Sequence, residues 1–173
     1  MARPEGALRV RPMTAADHPT VLALNADSVA VLSPLDGDRL AWIAGLASAP
    51  LVVVDGPADD APVVAFALAL PDGSAYDSDH YRWFAQRYDR FLYLDRIAVA
   101  ADARRRGVGT LLYDEAERIA RPRGRMLCEV DSDPPNPVSL AFHRDRGYVE
   151  LERRVGASGK GVAMLAKELG DGG

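Results

Sequence analysis

The chain has 173 residues, 48% of them hydrophobic and 27% charged, with a formal net charge of −4 at pH 7. That length suits one domain with a sizeable core, and the apolar content excludes a disordered chain. The acidic balance argues against a nucleic-acid binder working through bulk positive charge, and the longest apolar run, at 63–70, is far too short to span a bilayer. Cys128 is the single cysteine, which rules out a disulfide framework or a cysteine-based metal cluster and suits a reducing cytoplasm. The opening MARPEGALRV lacks the continuous apolar region of a signal peptide. The expectation is one cytoplasmic domain over 1–173, without a metal, and with a frayed tail at 170–173.

A first strand is read at 7–11, ended by Pro12. Thr14-Ala-Ala-Asp17 resembles a capping box and opens a helix through Val21, Leu22, Leu24 and Asn25, which becomes irregular at Ser33-Pro34. Leu40, Ile43, Leu46 and Ala47 predict a second helix, with Trp42 in its packing and Pro50 as its stop. Two strands follow at 51–55 and 63–70, the second buried on both faces. The stretch 72–90 then gathers Tyr76, Tyr81, Trp83, Phe84 and Tyr88 among Asp72, Asp77, Asp79 and Asp89. A connection this long either packs as a flap, with a short helix of its own, or forms one wall of a pocket for a cationic amine. His80 within it reads as an incidental surface residue.

The strand at 91–100 alternates Phe91, Tyr93, Asp95, Ile97 and Val99 against Leu92, Leu94, Arg96, Ala98 and Ala100. An ionised Asp95 in so apolar a strand is costly unless paired or functional, and Arg96 points to the other face. Next comes RRRGVGT, from Arg104 to Thr110, and then a helix with apolar residues at Val108, Leu111, Leu112, Ala116, Ile119 and Ala120. A helix start presents unpaired N–H groups and partial positive charge, and the glycines allow close backbone approach. Arginine forks match phosphate oxygens, so the turn reads as a pyrophosphate cradle. A Walker loop is excluded by the missing lysine, and the dinucleotide fingerprint fails because Thr110, Leu111 and Leu112 follow Gly109. A strand at 125–131 contains Cys128, read as packed rather than nucleophilic, and Glu129, a second carboxylate candidate. Asn136 as cap, Pro137 at the first position and Gly147 at the end bracket a short helix. Strands at 149–155 and 161–166 close the chain.

What remains at the glycine turn, R-x-x-G-x-G with Arg104, Gly107 and Gly109, resembles the coenzyme A pyrophosphate loop of the GNAT superfamily of N-acetyltransferases. The later segment resembles that family's N-x-x-[AS]-x-x-[LF]-Y-x-x-x-G-[FY] pattern, with Asn136, Ser139, Phe142, Gly147 and Tyr148 in register. His143 stands where the pattern carries tyrosine. The resemblance implies a mixed α/β (α+β) fold: a mostly antiparallel twisted sheet of roughly six or seven strands, one parallel splayed pair, and about four helices. It implies acetyl-CoA as co-substrate, bound by Ile97, Ala98, Val99, Arg104, Arg105, Arg106, Gly107, Val108, Gly109 and Thr110, with Asn136, Ser139, Phe142 and His143 toward the rest of the coenzyme. It further implies direct attack of a primary amine, small or on a protein, in a ternary complex. Asp95 is then either the base or part of a structural ion pair. His143 is the acid to the leaving thiolate, a coenzyme-binding residue or a surface histidine. Asn25, Ser33, Tyr76, Tyr81 and Trp83 are the acceptor-pocket candidates, and a homodimer is compatible. The rival reading is a non-catalytic acyl-CoA-binding module.

Overall fold

The computed structural model describes residues 6–28 and 30–170. In chain order these form β1 (Leu8–Pro12), α1 (His18–Asp27), α2 (Gly37–Leu46), β2 (Ala49–Asp55), β3 (Val63–Pro71) and α3 (Asp79–Ala85). There follow β4 (Leu92–Val99), α4 (Val108–Ala120), β5 (Arg125–Asp133), α5 (Pro137–Asp145), β6 (Val149–Val155) and β7 (Gly161–Glu168). The expected tail at 170–173 falls, beyond Gly170, outside the described residues.

The strands make one seven-stranded sheet in the order β1-β2-β3-β4-β5-β7-β6. Pairing is antiparallel for β1 with β2, β2 with β3, β5 with β7 and β6 with β7. Asp72 N–H donates to Phe91 O and Ala100 N–H to Val64 O, so β3 and β4 also run in opposite directions. β4 and β5 are parallel, as a strand-helix-strand crossover requires. Their register covers Leu92↔Met126 and Tyr93↔Leu127. Beyond Tyr93, β4 runs on to Val99.

The chain divides into two compact units, Met1–Ala69 with Arg96–Arg118, and Leu70–Asp95 with Ile119–Gly173. In the first, Val21 and Leu24 of α1 and Leu40 and Ile43 of α2 are buried together with Val52, Val53, Phe66 and Leu68. In the second, Tyr81, Phe84, Phe91, Leu92, Tyr93, Met126 and Leu127 form a core rich in aromatic rings. Burial of such side chains contributes about 1.5–3 kcal/mol each before the entropy of ordering is counted.

The elements differ from the sequence reading at particular residues. Thr14 opens a 3₁₀ turn, Ala15–Asp17, and α1 proper begins at His18. Pro19 lacks the N–H that would carry an α bond back to Ala15, so the first turn stays tight. Trp42 is 40% exposed with the Arg39 guanidinium 4.7 Å over its ring, outside the packing expected of it. The long connection after β3 does contain its own helix, α3, capped by Ser78, whose hydroxyl accepts from Tyr81 N–H. β3 is buried along its length, as its unbroken apolar run requires.

Candidate functional site

In the first unit, the turn between β4 and α4 sets the geometry of the arginine-glycine loop. Arg105 has φ 64° and Gly107 φ 75°, two left-handed residues with one between. The first helical bond runs from Leu111 N–H to Gly107 O at 3.1 Å. The N–H groups of Val108, Gly109 and Thr110 therefore lie in the first turn, where an α-helix supplies no acceptor. A Cβ built on Gly107 or Gly109 would meet nothing within 4 Å, so open space lies over both. Arg104 and Arg105 are exposed, and neither guanidinium has a partner among the described residues. Arg106 differs: it donates to Asp55 Oδ2 at 2.8 Å and fastens the loop to the end of β2. Val108 is buried, and Thr110 is exposed. On β4, Ala98 is buried, while Ile97 and Val99 lie half-exposed on the face that Asp95 shares.

Also in the first unit, the buried Arg96 guanidinium draws Asn25 and Ser33 together. Its Nη1 donates to Asn25 Oδ1 at 3.1 Å and to Ser33 O at 3.2 Å, and its Nη2 to Ser33 Oγ at 3.1 Å. Asn25 Nδ2 donates to Ser33 O at 3.0 Å. These two acceptor-pocket candidates thus spend these polar atoms on holding the segment after α1 against β4. Arg96 was legible only as a residue on the face opposite Asp95.

The second unit gathers carboxylates and phenols. Tyr76 donates its hydroxyl to Asp95 Oδ1 at 2.5 Å, and Tyr93 donates to Glu129, 2.8 Å from each oxygen. Burial, and then the Glu129 charge, push the Tyr93 phenol well above its ordinary range, so it keeps its proton and remains the donor. Tyr76 and Tyr93 lie 6.4 Å apart between ring centroids, which brings the two carboxylate candidates to one aromatic cluster. Asp95 is half-exposed and hence reachable. Tyr81 serves structure: its hydroxyl donates to Pro71 O and accepts from Ser74 N–H. Trp83 is buried beneath the Arg87 guanidinium, 3.7 Å from the ring centroid.

Asn136 Oδ1 accepts Ser139 N–H at 3.2 Å and caps α5. His143 is 4% exposed, not a surface residue, and packs edge-on against Phe142 and Tyr148. Its Nδ1 lies 2.7 Å from Ser139 O. A carbonyl only accepts, so Nδ1 carries a proton and the lone pair of the neutral ring sits on Nε2. Proton donation from Nε2 therefore requires the doubly protonated ring.

A profile of the Acetyltransferase (GNAT) family matches residues 22–148. The chain belongs to the GNAT acetyltransferase family. Among solved structures, Ard1 from Thermoplasma volcanium is similar with TM-score 0.73 and 15% identity, covering 94% of this chain and 98% of that one. The ribosomal-protein-S18-alanine N-acetyltransferase from Escherichia coli gives 0.67 and 18%, covering 96% and 97%. The ribosomal-protein-alanine N-acetyltransferase from Brucella melitensis gives 0.64 and 23%, covering 93% and 99%. These likenesses establish the shared fold. Comparison with curated proteins finds no match. Membership in the GNAT family supports acetyltransferase activity in general.

The GNAT loop of this chain suits the anionic end of coenzyme A: two unpartnered guanidinium groups beside first-turn N–H groups, with open space over both glycines. Among the described residues no helix is long and apolar enough to cross a membrane, and no three His, Cys, Asp or Glu side chains are grouped to hold a metal. Sequence reasoning passed over two further groups. His80 is half-buried, and its Nδ1 is buried without a hydrogen-bond partner among the described residues. Arg154 of β6 has Nη1 in the same condition. A histidine and an arginine so far apart in the chain carry no shared motif, so only the fold could associate them.

Proposed function

We propose that this protein is an acetyl-CoA-dependent N-acetyltransferase acting on a primary amine by direct attack. The observation that carries the reading is the loop at Arg104–Gly109, where Arg104 and Arg105 are exposed and free among the described residues, ahead of the 13-residue helix α4. When bound, acetyl-CoA supplies an activated acetyl thioester. Arg104, Arg105 and the N–H groups of Val108 to Thr110 hold the pyrophosphate. The β4 backbone from Ile97 to Val99, beyond the register shared with β5, supplies N–H and C=O groups for the pantetheine arm and the acetyl oxygen. Arg106, Asn25 and Ser33 brace these elements.

Asp95, oriented by the Tyr76 hydroxyl, takes one proton from the acceptor ammonium, directly or through water. The freed lone pair forms the N–C bond to the acetyl carbon as the C–S bond breaks. The nitrogen then sheds a second proton and the sulfur leaves as thiol. Transfer from the ammonium form thus yields the amide, free coenzyme A thiol and one proton to solvent. Glu129, bound to Tyr93, is the alternative base. The Nδ1–H bond of His143 leaves Nε2 as an acceptor in the neutral ring, which favours a coenzyme-binding or structural role over that of acid. The same feature gives the second reading, a non-catalytic acyl-CoA-binding module, its support.

Thiol release from acetyl-CoA with a panel of amines separates the two. Turnover that falls about 100-fold or more in Asp95→Asn, with acetyl-CoA binding retained, supports the base assignment. Acetyl-CoA binding without turnover of any amine supports the second reading and removes the first.

A further inference from the structure

Two buried nitrogens in the second unit face no partner among the described residues, and their chemistry points to the acceptor. Every residue of β6 is exposed except Arg154. Its neighbour Arg153 reaches back to Glu150 at 2.6 Å, but Arg154 turns inward until its guanidinium lies 5.5 Å over the Trp83 ring. There Arg154 Nη1 is buried without a hydrogen bond. His80 is the second residue of α3, and its Nδ1 is buried and unpartnered too. The ring packs against the turn after β6: a Cβ built on Gly156 would stand 3.2 Å from His80 Nε2. Burial, followed by the Arg154 charge, lowers the His80 pKa, whereas Asp79 and Asp95 act in the opposite sense. The imidazole is therefore within electrostatic reach of both the guanidinium and the proposed base.

A buried guanidinium N–H without an acceptor is costly, and a bound group that accepts from it would remove that cost. A forked guanidinium matches a carboxylate best, and the Nδ1–H tautomer of a neutral imidazole adds a donor to the second oxygen. Asp95 on β4, whose charge reaches the same imidazole, attracts an ammonium. We propose that the acceptor is amino-acid-like, with a carboxylate within a few bonds of its amine, and that Arg154 and His80 bind that carboxylate. Arg154 and His80 are then specificity determinants, and the inference rests on the acetyltransferase reading above.

The test pairs free α-, β- and γ-amino acids with their carboxamides as acceptors, following thiol release from acetyl-CoA. The wild type prefers at least one free acid over its carboxamide by about 100-fold in kcat/KM, because an amide leaves the buried donors poorly matched. In Arg154→Gln the preference falls to near parity, mainly through KM, and Arg154→Lys restores part of it. His80→Asn, a second variant that leaves Arg154 in place, lowers the preference less. Equal rates for acids and amides, an unchanged preference in Arg154→Gln, or no turnover of either kind while acetyl-CoA still binds overturns the proposal. Failure to bind acetyl-CoA at all overturns this proposal together with the acetyltransferase reading.

Discussion

Arg104, Arg105 and Arg106 are adjacent and chemically identical, yet the fold gives them different work. Arg106 is committed to Asp55, whose side chain is 9% exposed, whereas Arg104 and Arg105 stay exposed and free among the described residues. Removing either of the latter takes a charge-assisted contact from a solvent-exposed site. Arg104→Ala and Arg105→Ala are each expected to weaken acetyl-CoA binding by about 10-fold, with a shallower salt dependence and little change in stability. Arg106→Ala leaves a nearly buried carboxylate without its guanidinium, so it is expected to lower stability by about 1–3 kcal/mol. Calorimetric titration and urea unfolding on the three variants separate the roles; equal losses of affinity without loss of stability would refute the division. The motif showed that arginines belong in this loop. Which arginine stays free of an ion pair was not legible, since Asp55 lies on a strand far back in the chain. His143, left open as a surface residue, is buried with Tyr148 and Phe142 packed edge-on against it, a contact that the motif does not state.

At the scale of elements, local signals were read well where they act locally. The Asn136 cap, Pro137 and Gly147 fixed α5, and alternation fixed β4, because each signal is confined to a few neighbouring residues. The entry to α1 needed more. Asp17 accepts Thr14 N–H at 2.7 Å, as the box pattern implies, but its carboxylate also binds both terminal nitrogens of Arg11 at 2.8 Å. That pair ties β1 to the start of α1. The Arg11 hydrogen bonds foremost, with help from Thr14 N–H, lower the Asp17 pKa from 3.8 to about 2 against the opposing effect of burial. A depressed folded-state pKa stabilises above the unfolded value and loses that contribution as pH falls through the folded one. Asp17→Asn is therefore expected to cost roughly 2 kcal/mol at pH 7, with the gap between variant and wild type closing from about pH 4 down to about pH 2. Urea unfolding of both proteins over that range measures it, and a gap independent of pH would remove the ionic explanation.

For the whole molecule, the mostly antiparallel sheet with one parallel pair followed from the family pattern and from the strand-helix-strand order around α4, whereas the order of the strands across the sheet came only with the structure. The residues proposed to choose the acceptor were not legible, since β6, α3 and β4 contribute them one at a time and none carries a motif. The proposed coenzyme loop offers a test that reads the entire chain through ligand linkage. A ligand that binds only the folded state, at about 100 times its Kd, adds about 2.7 kcal/mol. For a chain of this size that is a rise of roughly 5–10 °C in Tm. Gly109→Trp is the matching control. Gly109 lies in the first turn of α4, with open space where its Cβ would go, so a side chain can start there without a backbone clash and an indole would project over the loop. Gly107, at φ 75°, would not tolerate the same change, because a side chain there is strained whatever the space. Gly109→Trp is thus expected to melt close to the wild type without ligand and to show no rise with acetyl-CoA. A full rise in the variant would place the coenzyme elsewhere. A variant that melts far lower without ligand would show that the space over Gly109 is part of the packing and not a cradle.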